Sequence, residues 1–291
     1  MDEFGADYSK ISAFYGIFYF AARRGVASNT FKGNLLTWPE GNGFLVQKLS
    51  QDILEDCQTN TLIKSILYEN NAVFIDAINT QSRATTRYQA KQIIVAIPQF
   101  IFAHLFKSDN RKELINEFNY HPWVVVQLRI DSAQINLQFA WDNVIYQSQT
   151  LGYVLSNHQT TSLKKQDLVL TCYIPLSRNE PKAERKNLLE STDKQWFDLC
   201  LQELGSIDSN FKNAIKEYQV RRWGHGMISP YTGFYTSQNR KNAAKSLFNA
   251  IHFAHSDLSG ISIFEEAFYS GQLAASKSIQ NLTEIYNQNY K

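Results

Sequence analysis

Glycine is scarce in this 291-residue chain, at 13 residues, and that scarcity makes several exclusions clean. The only G-x-G pairs are Gly41/Gly43 and Gly224/Gly226, and the position that a dinucleotide fingerprint reserves for its third glycine holds Val46 in one and Ser229 in the other. A Walker A loop and an HExxH helix are missing as well, and neither Gly205 nor Gly260 opens a GxSxG elbow. Simple nucleotide-hydrolase, zincin and serine-hydrolase chemistries are therefore unsupported. Cysteine is equally sparse. Cys57, Cys172 and Cys200 form no CxxC pair, and an odd count argues against a disulfide framework, so a reducing compartment, the cytoplasm, is the expectation. Charge of one sign is lacking too: 29 basic against 27 acidic residues leave a formal +2, which disfavours nucleic-acid binding by bulk charge. The apolar run Ile11 to Ala22 is too short to cross a bilayer, and Asp2, Glu3 and Asp7 ahead of it give the wrong charge order for a signal peptide.

Aromatic residues are plentiful, at 13% of the chain, and such side chains either pack a core or line a pocket. The length allows one large domain or two smaller ones. Ile11 to Ala22, followed by Arg23, Arg24 and Gly25, reads as a buried helix with basic residues at its C-terminal end. TWPEGNG, from Thr37 to Gly43, is turn chemistry. Leu45, Leu49 and Ile53 then recur every four residues, which predicts a helix of about 12 residues from Phe44.

Short β-type runs follow at Leu62 to Tyr68, Ala72 to Ile78 and Lys91 to Ala96, a small meander returning to a hydrophobic strand closed by Pro98. The uninterrupted Ile93, Ile94, Val95 and Ala96 suit a strand buried on both faces, as in a mostly parallel sheet. After about Asn110 the pattern changes. Trp123 to Ile130, Asn143 to Gln147 and Leu168 to Tyr173 alternate like antiparallel strands, and Arg185 to Leu204 predicts one long amphipathic helix carrying Leu188, Leu189, Trp196, Leu199 and Cys200 inward. The chain closes with a strand over Leu247 to Ala254, the turn HSDLSG, and a helix from Ser262, a suitable N-cap, to Ile285. No repeat, low-complexity tract or flexible linker separates these blocks.

The closing strand-turn-helix is the sharpest local feature, because a helix N-terminus directs unpaired backbone N–H groups at its turn, where an oxygen-rich ligand can be held. By itself the pattern also fits an ordinary α/β turn. Four segments in order add to it: TWPEGNGFLVQKLS, LIKSILYENNAVFI with AKQIIVAIP, RRWGHGMISPYTGFY, and IHFAHSDLSGISIFEEAFYSGQLAA. Together they resemble the C-terminal portion of the flavin-containing amine oxidoreductases.

That resemblance implies a fold of α/β class with α+β character: a partial FAD-binding domain of glutathione-reductase type plus a substrate domain of antiparallel sheet and helices. The implied division is a helical substrate-domain segment at 1–36, FAD-domain helix, meander and return strand at 37–108, the substrate domain at 109–246, and the FAD-domain strand and helix at 247–291. It further implies hydride transfer from a small amine-like substrate to flavin N5, the cofactor supplying the difficult chemistry. The family opens on a GxGxxG strand-turn-helix for the pyrophosphate, which this sequence lacks. The chain thus resembles about the last two thirds of a member, which leaves three readings open: a separate polypeptide carries the GxGxxG half as a partner alongside the small-molecule substrate, the ligand groove is open and weak, or the chain is a decayed or truncated product.

Carried over by position, the resemblance places Ile63 beside the adenine, Asp257 near the ribityl-diphosphate, and the backbone N–H groups of Ile263 and Phe264 at the pyrimidine edge of the flavin. Gly41 and Gly43, around Asn42, would let the backbone approach flavin or substrate, while Trp223 and Tyr235 would wall a substrate slot, with Trp141 and Tyr146 as weaker versions of the same idea. Each has a plain structural alternative: a strand core residue for Ile63, a turn-forming Asp257, a helix-entry turn for the glycines, core packing for the aromatics. PWVVVQL, from Pro122, offers no lysine to assist oxygen, and the loop TGFYT offers no cysteine, so FAD is expected to be non-covalent. His252 and His255 lack a third ligand nearby and predict no metal; His225 reads as a loop residue and Lys182 to Lys186 as a solvated charged turn. Two other readings stay open: a non-catalytic fragment or partner subunit without tight cofactor, and a desaturase-like or protoporphyrinogen-oxidase-like flavoprotein acting on a large apolar ligand.

Overall fold

The computed structural model describes residues 4–22, 37–107, 110–136, 140–160 and 167–289. In chain order its elements are α1 (Ala13–Ala22), α2 (Asn42–Ser50), β1 (Thr61–Glu69), β2 (Ala72–Asn79), β3 (Thr85–Ala90), β4 (Ile93–Val95), α3 (Gln99–Leu105) and α4 (Arg111–Leu114). There follow β5 (Asn119–Ile130), β6 (Asp142–Val144), β7 (Gly152–Leu155), β8 (Leu168–Pro175), α5 (Pro181–Glu190), α6 (Asp193–Gly205), α7 (Phe211–Ala214) and β9 (Ile215–Ser229). The last elements are α8 (Gln238–Ala243), β10 (Ile251–Phe253) and α9 (Phe264–Asn289). Helices and mostly antiparallel sheets mix in two compact units. One holds residues 1–11, 16–44 and 119–229, the other 12–15, 45–118 and 230–291.

The first unit is built on a five-stranded sheet in the order β6-β7-β8-β5-β9, antiparallel throughout. Alternation along β5 buries Val124, Val126, Leu128 and Ile130, while Gln127 and Arg129 face away, so one face packs a core and the other meets water. Leu170, Cys172 and Ile174 of β8 join that core with Trp196, Cys200 and Leu204 of α6 and Phe211 of α7. A hydrogen bond with Cys200, and then burial, push the Cys172 thiol well above its ordinary value, so Cys172 is a neutral packing group beside the buried Cys200. The expected single helix over Arg185 to Leu204 is two helices. The chain leaves helical geometry at Ser191, and Thr192 restarts it with a capping box, its Oγ1 accepting from Gln195 N while Gln195 Oε1 accepts from Thr192 N at 2.7 Å. Lys182 to Lys186, expected as a turn, belongs to α5, which Pro181 opens at its first position.

The second unit carries the meander β1-β2-β3. Glu69 pairs with Ala72 across Asn70 and Asn71, both at positive φ, 50° and 60°, as a two-residue hairpin of matching twist needs. Its third strand is β3, TTRYQA, whose polar alternation carries no apolar signal. The expected third strand instead leaves the meander: β4 pairs parallel with β10, Ile93 to Ile251 and Val95 to Phe253. The parallel pairing is as expected, but burial on both faces is not, since Ile94 is 43% exposed. The closing strand is also shorter than expected, because Phe248 and Asn249 take positive φ, 54° and 49°, and turn the chain before Ile251. Two N-terminal helices differ similarly. Of α1 only Tyr15 is buried, so it is not the buried helix its apolar run suggested, and α2 starts two residues before the expected Phe44 and has nine residues, none buried. Arg23, Arg24 and Gly25 lie outside the described residues.

Candidate functional site

The site grows from the end of β10. That strand delivers His255 to a single 3-10 turn, Ser256–Leu258, in which the His255 Nδ1 accepts from Asp257 N at 3.1 Å. Asp257 is 1% exposed, and its Oδ2 accepts the N–H of Gln99, the first residue of α3, at 2.7 Å. Pro98, at the cap position of α3, has no side-chain cap to offer, so a carboxylate 158 residues later satisfies the helix donor instead.

Beyond the turn, Gly260 stands at φ +82°, and a Cβ there would lie 2.7 Å from Tyr15 Oη and 2.9 Å from Phe234 Cε1. Glycine is required twice over, by backbone sign and by space. Tyr15 Oη donates to Ser259 O at 2.9 Å, and burial pushes its hydroxyl up to about 12, against the opposing pull of the Arg240 charge. Arg240 in turn donates to Phe234 O at 3.1 Å, Tyr235 O at 2.8 Å and Leu258 O at 2.9 Å. One guanidinium thereby fastens the aromatic loop to the closing turn.

Helix α9 starts at Phe264, with Ala267 N bonded back to Ile263 O. The N–H of Ile263 goes to Ile261 O at 3.0 Å. The N–H groups of Phe264, Glu265 and Glu266 have no intrahelical acceptor, as the first turn of any helix dictates, and Ile263 beside them is exposed. Between α8, β10 and α9 lies a cavity of about 230 Å³ reached by Arg240, His252, Glu266, Tyr269 and Lys277. Burial, and secondarily the charge of Lys277, lowers the His252 imidazole below its ordinary value. Its two ring nitrogens are held by Ser246 Oγ at 2.8 Å and Gln92 Oε1 at 2.7 Å. Among the described residues no three His, Cys, Asp or Glu side chains converge on a common point.

Of the residues singled out in the sequence, Asp257, Ile263 and Phe264 share this turn and helix start, and Arg240 brings Tyr235 to it. Tyr235 stacks on Phe14 with ring centroids 3.6 Å apart and stays 44% exposed. Ile63 belongs to the same unit, half-buried opposite Ala77, beside a bulge in β1. Gly41, Gly43 and Trp223 lie in the other unit. Gly41 makes the turn into α2 at φ +58°, Gly43 sits in the first turn of α2, and a Cβ at either meets nothing within 4 Å. Trp223 pairs with Trp123 across β9 and β5 and is 57% exposed. Trp141 and Tyr146 are exposed in that unit as well, and His225 lies edge-on to Tyr120. Tyr15, Gln99 and Arg240 escaped the sequence reading. Tyr15 sits in a run of five aromatics among twelve residues, where nothing marks one ring as special, and Arg240 acts on backbone carbonyls, which leave no trace in sequence.

One unit thus carries a parallel strand that ends in an acidic turn and a long helix, and the other an antiparallel sheet packed against helices. The chain matches the flavin containing amine oxidoreductase family over residues 4–277 and belongs to it. Oxidoreductase PigB of Serratia sp. (strain ATCC 39006) is 23% identical over 297 aligned positions, which cover 97% of this chain and 42% of PigB. The solved cyclohexylamine oxidase from Brevibacterium oxydans IH-35A has the same fold, with a TM-score of 0.68 at 15% identity over 96% of this chain and 62% of that one. The chain thus spans less than half of its curated relative. No described helix is long and apolar enough to cross a membrane.

Proposed function

We propose that the chain forms the flavin-closing and substrate-binding part of an FAD-dependent oxidoreductase of amine oxidase type. The observation that carries this reading is the start of α9 directly after a turn that Gly260 shapes and Tyr15 and Arg240 brace. When bound, FAD supplies the acceptor for a hydride from the carbon next to nitrogen in a small amine-like substrate. The residues fit one rim of that cofactor. The Phe264 N–H and those after it offer donors to ring carbonyls, and the positive end of the helix dipole favours electron-rich oxygen there. Ile263 shapes that approach, and Asp257 fixes the turn leading into it. Ile63 on β1 is assigned the adenine contact, and Gly41 and Gly43 a close backbone approach.

Tyr235, held face-on by Phe14, is assigned an aromatic contact with the amine, as is the exposed indole of Trp223, because π faces attract ammonium-like groups. A carbon–nitrogen oxidation of this kind asks little acid or base from the protein, and none of these residues is assigned a proton. With no cysteine in the TGFYT loop, the cofactor is held non-covalently. The sequence holds no GxGxxG turn, so none of its residues is assigned the pyrophosphate. Three unpaired cysteines suit the cytoplasm.

Adding FAD to the purified chain and recording visible flavin absorbance after gel filtration tests the assignment. Retained, stoichiometric colour is expected. A protein that stays colourless would make the chain a non-catalytic remnant.

A further inference from the structure

Arg111, the first residue of α4, is buried, with 2% of its surface exposed. A guanidinium is costly to bury unless its donors are met and its charge is balanced. Three of its contacts reach elements that build the candidate site. Its Nη2 donates to Gln99 Oε1 and, at 2.8 Å, to Ala243 O, and its central carbon lies 4.2 Å from the centre of the Phe253 ring. Gln99 opens α3, and its own N–H is the donor that Asp257 Oδ2 accepts. Ala243 ends α8, the helix whose Arg240 fastens the aromatic loop to Leu258. Phe253 ends β10, just ahead of His255 and Asp257.

These contacts act in series with the ones that shape the closing turn. A guanidinium only donates, so the Gln99 amide must turn its oxygen toward Arg111. Gln99 is thereby held at both ends, its side chain by Arg111 and its N–H by Asp257, and the carboxylate takes its place from a residue it does not touch through any bond described above. The Ala243 carbonyl stands in the last turn of α8, where carbonyls lack intrahelical donors and the helix dipole is negative, so a cation there holds the helix end. Lysine is no substitute. Its ammonium is a point charge on a rotatable stem, with no plane to lay against the Phe253 ring.

We propose that Arg111 is the positioning residue of the candidate flavin site: through Gln99 it places the Asp257 carboxylate, and through Ala243 it anchors the helix that carries Arg240. Its reach toward the cofactor rests on the reading of Asp257 as a flavin contact; its hold on the turn does not. Loosening Arg111 releases the acidic turn and the aromatic loop together, since one buried group ties both. Asp257 and Tyr235, assigned to cofactor and to substrate, then lose their places at once.

The test compares wild type, Gln99→Met, Gln99→Glu and Arg111→Lys in the full chain. Gln99→Met removes the acceptor for Arg111 but keeps the N–H given to Asp257, whereas Gln99→Glu keeps an acceptor oxygen, now charged. Amide hydrogen exchange read by mass spectrometry follows residues 255–260 without any cofactor. That turn is expected to exchange about tenfold faster in Gln99→Met, as for one lost bond to a charged group, while β5 in the other unit keeps its wild-type rate and Gln99→Glu restores the turn. Arg111→Lys, which keeps the buried charge, is expected to behave as Gln99→Met does and serves in its place should that variant not fold. FAD titration followed by visible absorbance is expected to give a Kd raised about tenfold in Gln99→Met and unchanged in Gln99→Glu, with no further loss when Gln99→Met is added to Asp257→Asn. Exchange that is unchanged, or raised alike throughout the chain, overturns the proposal, and so does wild-type FAD affinity in Gln99→Met. Wild-type protein that binds no FAD removes the flavin reading alone, and exchange at the turn still decides the role of Arg111.

Discussion

The Asp257 carboxylate accepts the backbone N–H of Gln99 at 2.7 Å and so caps a helix whose own cap position is a proline. This contact ties the closing turn of the candidate site to α3, and it gives Asp257 a structural task beside any contact with cofactor. Asp257→Ala strands a buried helix donor, which costs about 1–3 kcal/mol, and Asp257→Asn keeps an acceptor oxygen and recovers most of that. Urea unfolding measures the stability of both variants. If Asp257 also faces FAD, the Asn variant loses flavin retention despite its recovered stability; equal retention in Asn and wild type would leave the residue purely structural.

Gly260 is expected to tolerate no side chain. An alanine at φ +82° carries the left-handed penalty of about 1–2 kcal/mol, and its Cβ meets Tyr15 Oη and Phe234 Cε1 inside 3 Å, adding about 1–3 kcal/mol of overpacking. Tyr15→Phe removes one of those clashes together with the bond to Ser259 O. Gly260→Ala is therefore expected to cost less in the Tyr15→Phe background than in wild type, and a denaturant double-mutant cycle reads the difference. Strict additivity would mean that the tyrosine has moved aside.

How far the sequence alone reaches is clear from particular elements. Strong alternation placed β1, β2 and β8 within two residues and the end of β5, whose start lies four residues before the expected Trp123, and HSDLSG marked the turn before α9, because each has a periodic or turn-forming signal of its own. Strand β3 was invisible, since TTRYQA is polar on both faces and is held by β2 rather than by propensity. The parallel partner of β4 lies more than 150 residues away and leaves no local mark beyond an apolar run. At the site, Gly260 and Asp257 were legible as turn residues. The contacts that fix them, from Tyr15, Gln99 and Arg240, are tertiary and run largely through backbone atoms, which any residue type supplies equally.

The break between α5 and α6 rests on Thr192. Replacing it with alanine removes the acceptor for Gln195 N and leaves the reciprocal bond, which Thr192 N donates to Gln195 Oε1, without its counterpart, which is expected to cost about 1 kcal/mol. Thr192→Ser retains the hydroxyl and should be nearly neutral. Thermal melts followed by circular dichroism distinguish the two, and identical losses for Ala and Ser would show that methyl packing rather than capping matters.

Acid sensitivity is expected to concentrate in the meander. Asp76 pairs in register with Ser65 of β1 and Arg87 of β3, so three strands meet at one level. Arg87 donates to it twice, at 2.7 and 2.9 Å, and Ser65 Oγ once, at 2.9 Å. The Arg87 hydrogen bond, then that of Ser65, lowers its carboxyl to about 2. An unfolded aspartate titrates at about 3.9, so the unfolded chain binds this proton first as pH falls. The stabilisation is complete above pH about 4 and disappears as the medium passes down through about 2. Asp76→Asn has no such proton to take up, so its stability should fall less steeply across that window. Urea midpoints measured at several pH values between 4 and 2 check this, and parallel curves for the two proteins would show that Asp76 titrates normally in the folded chain.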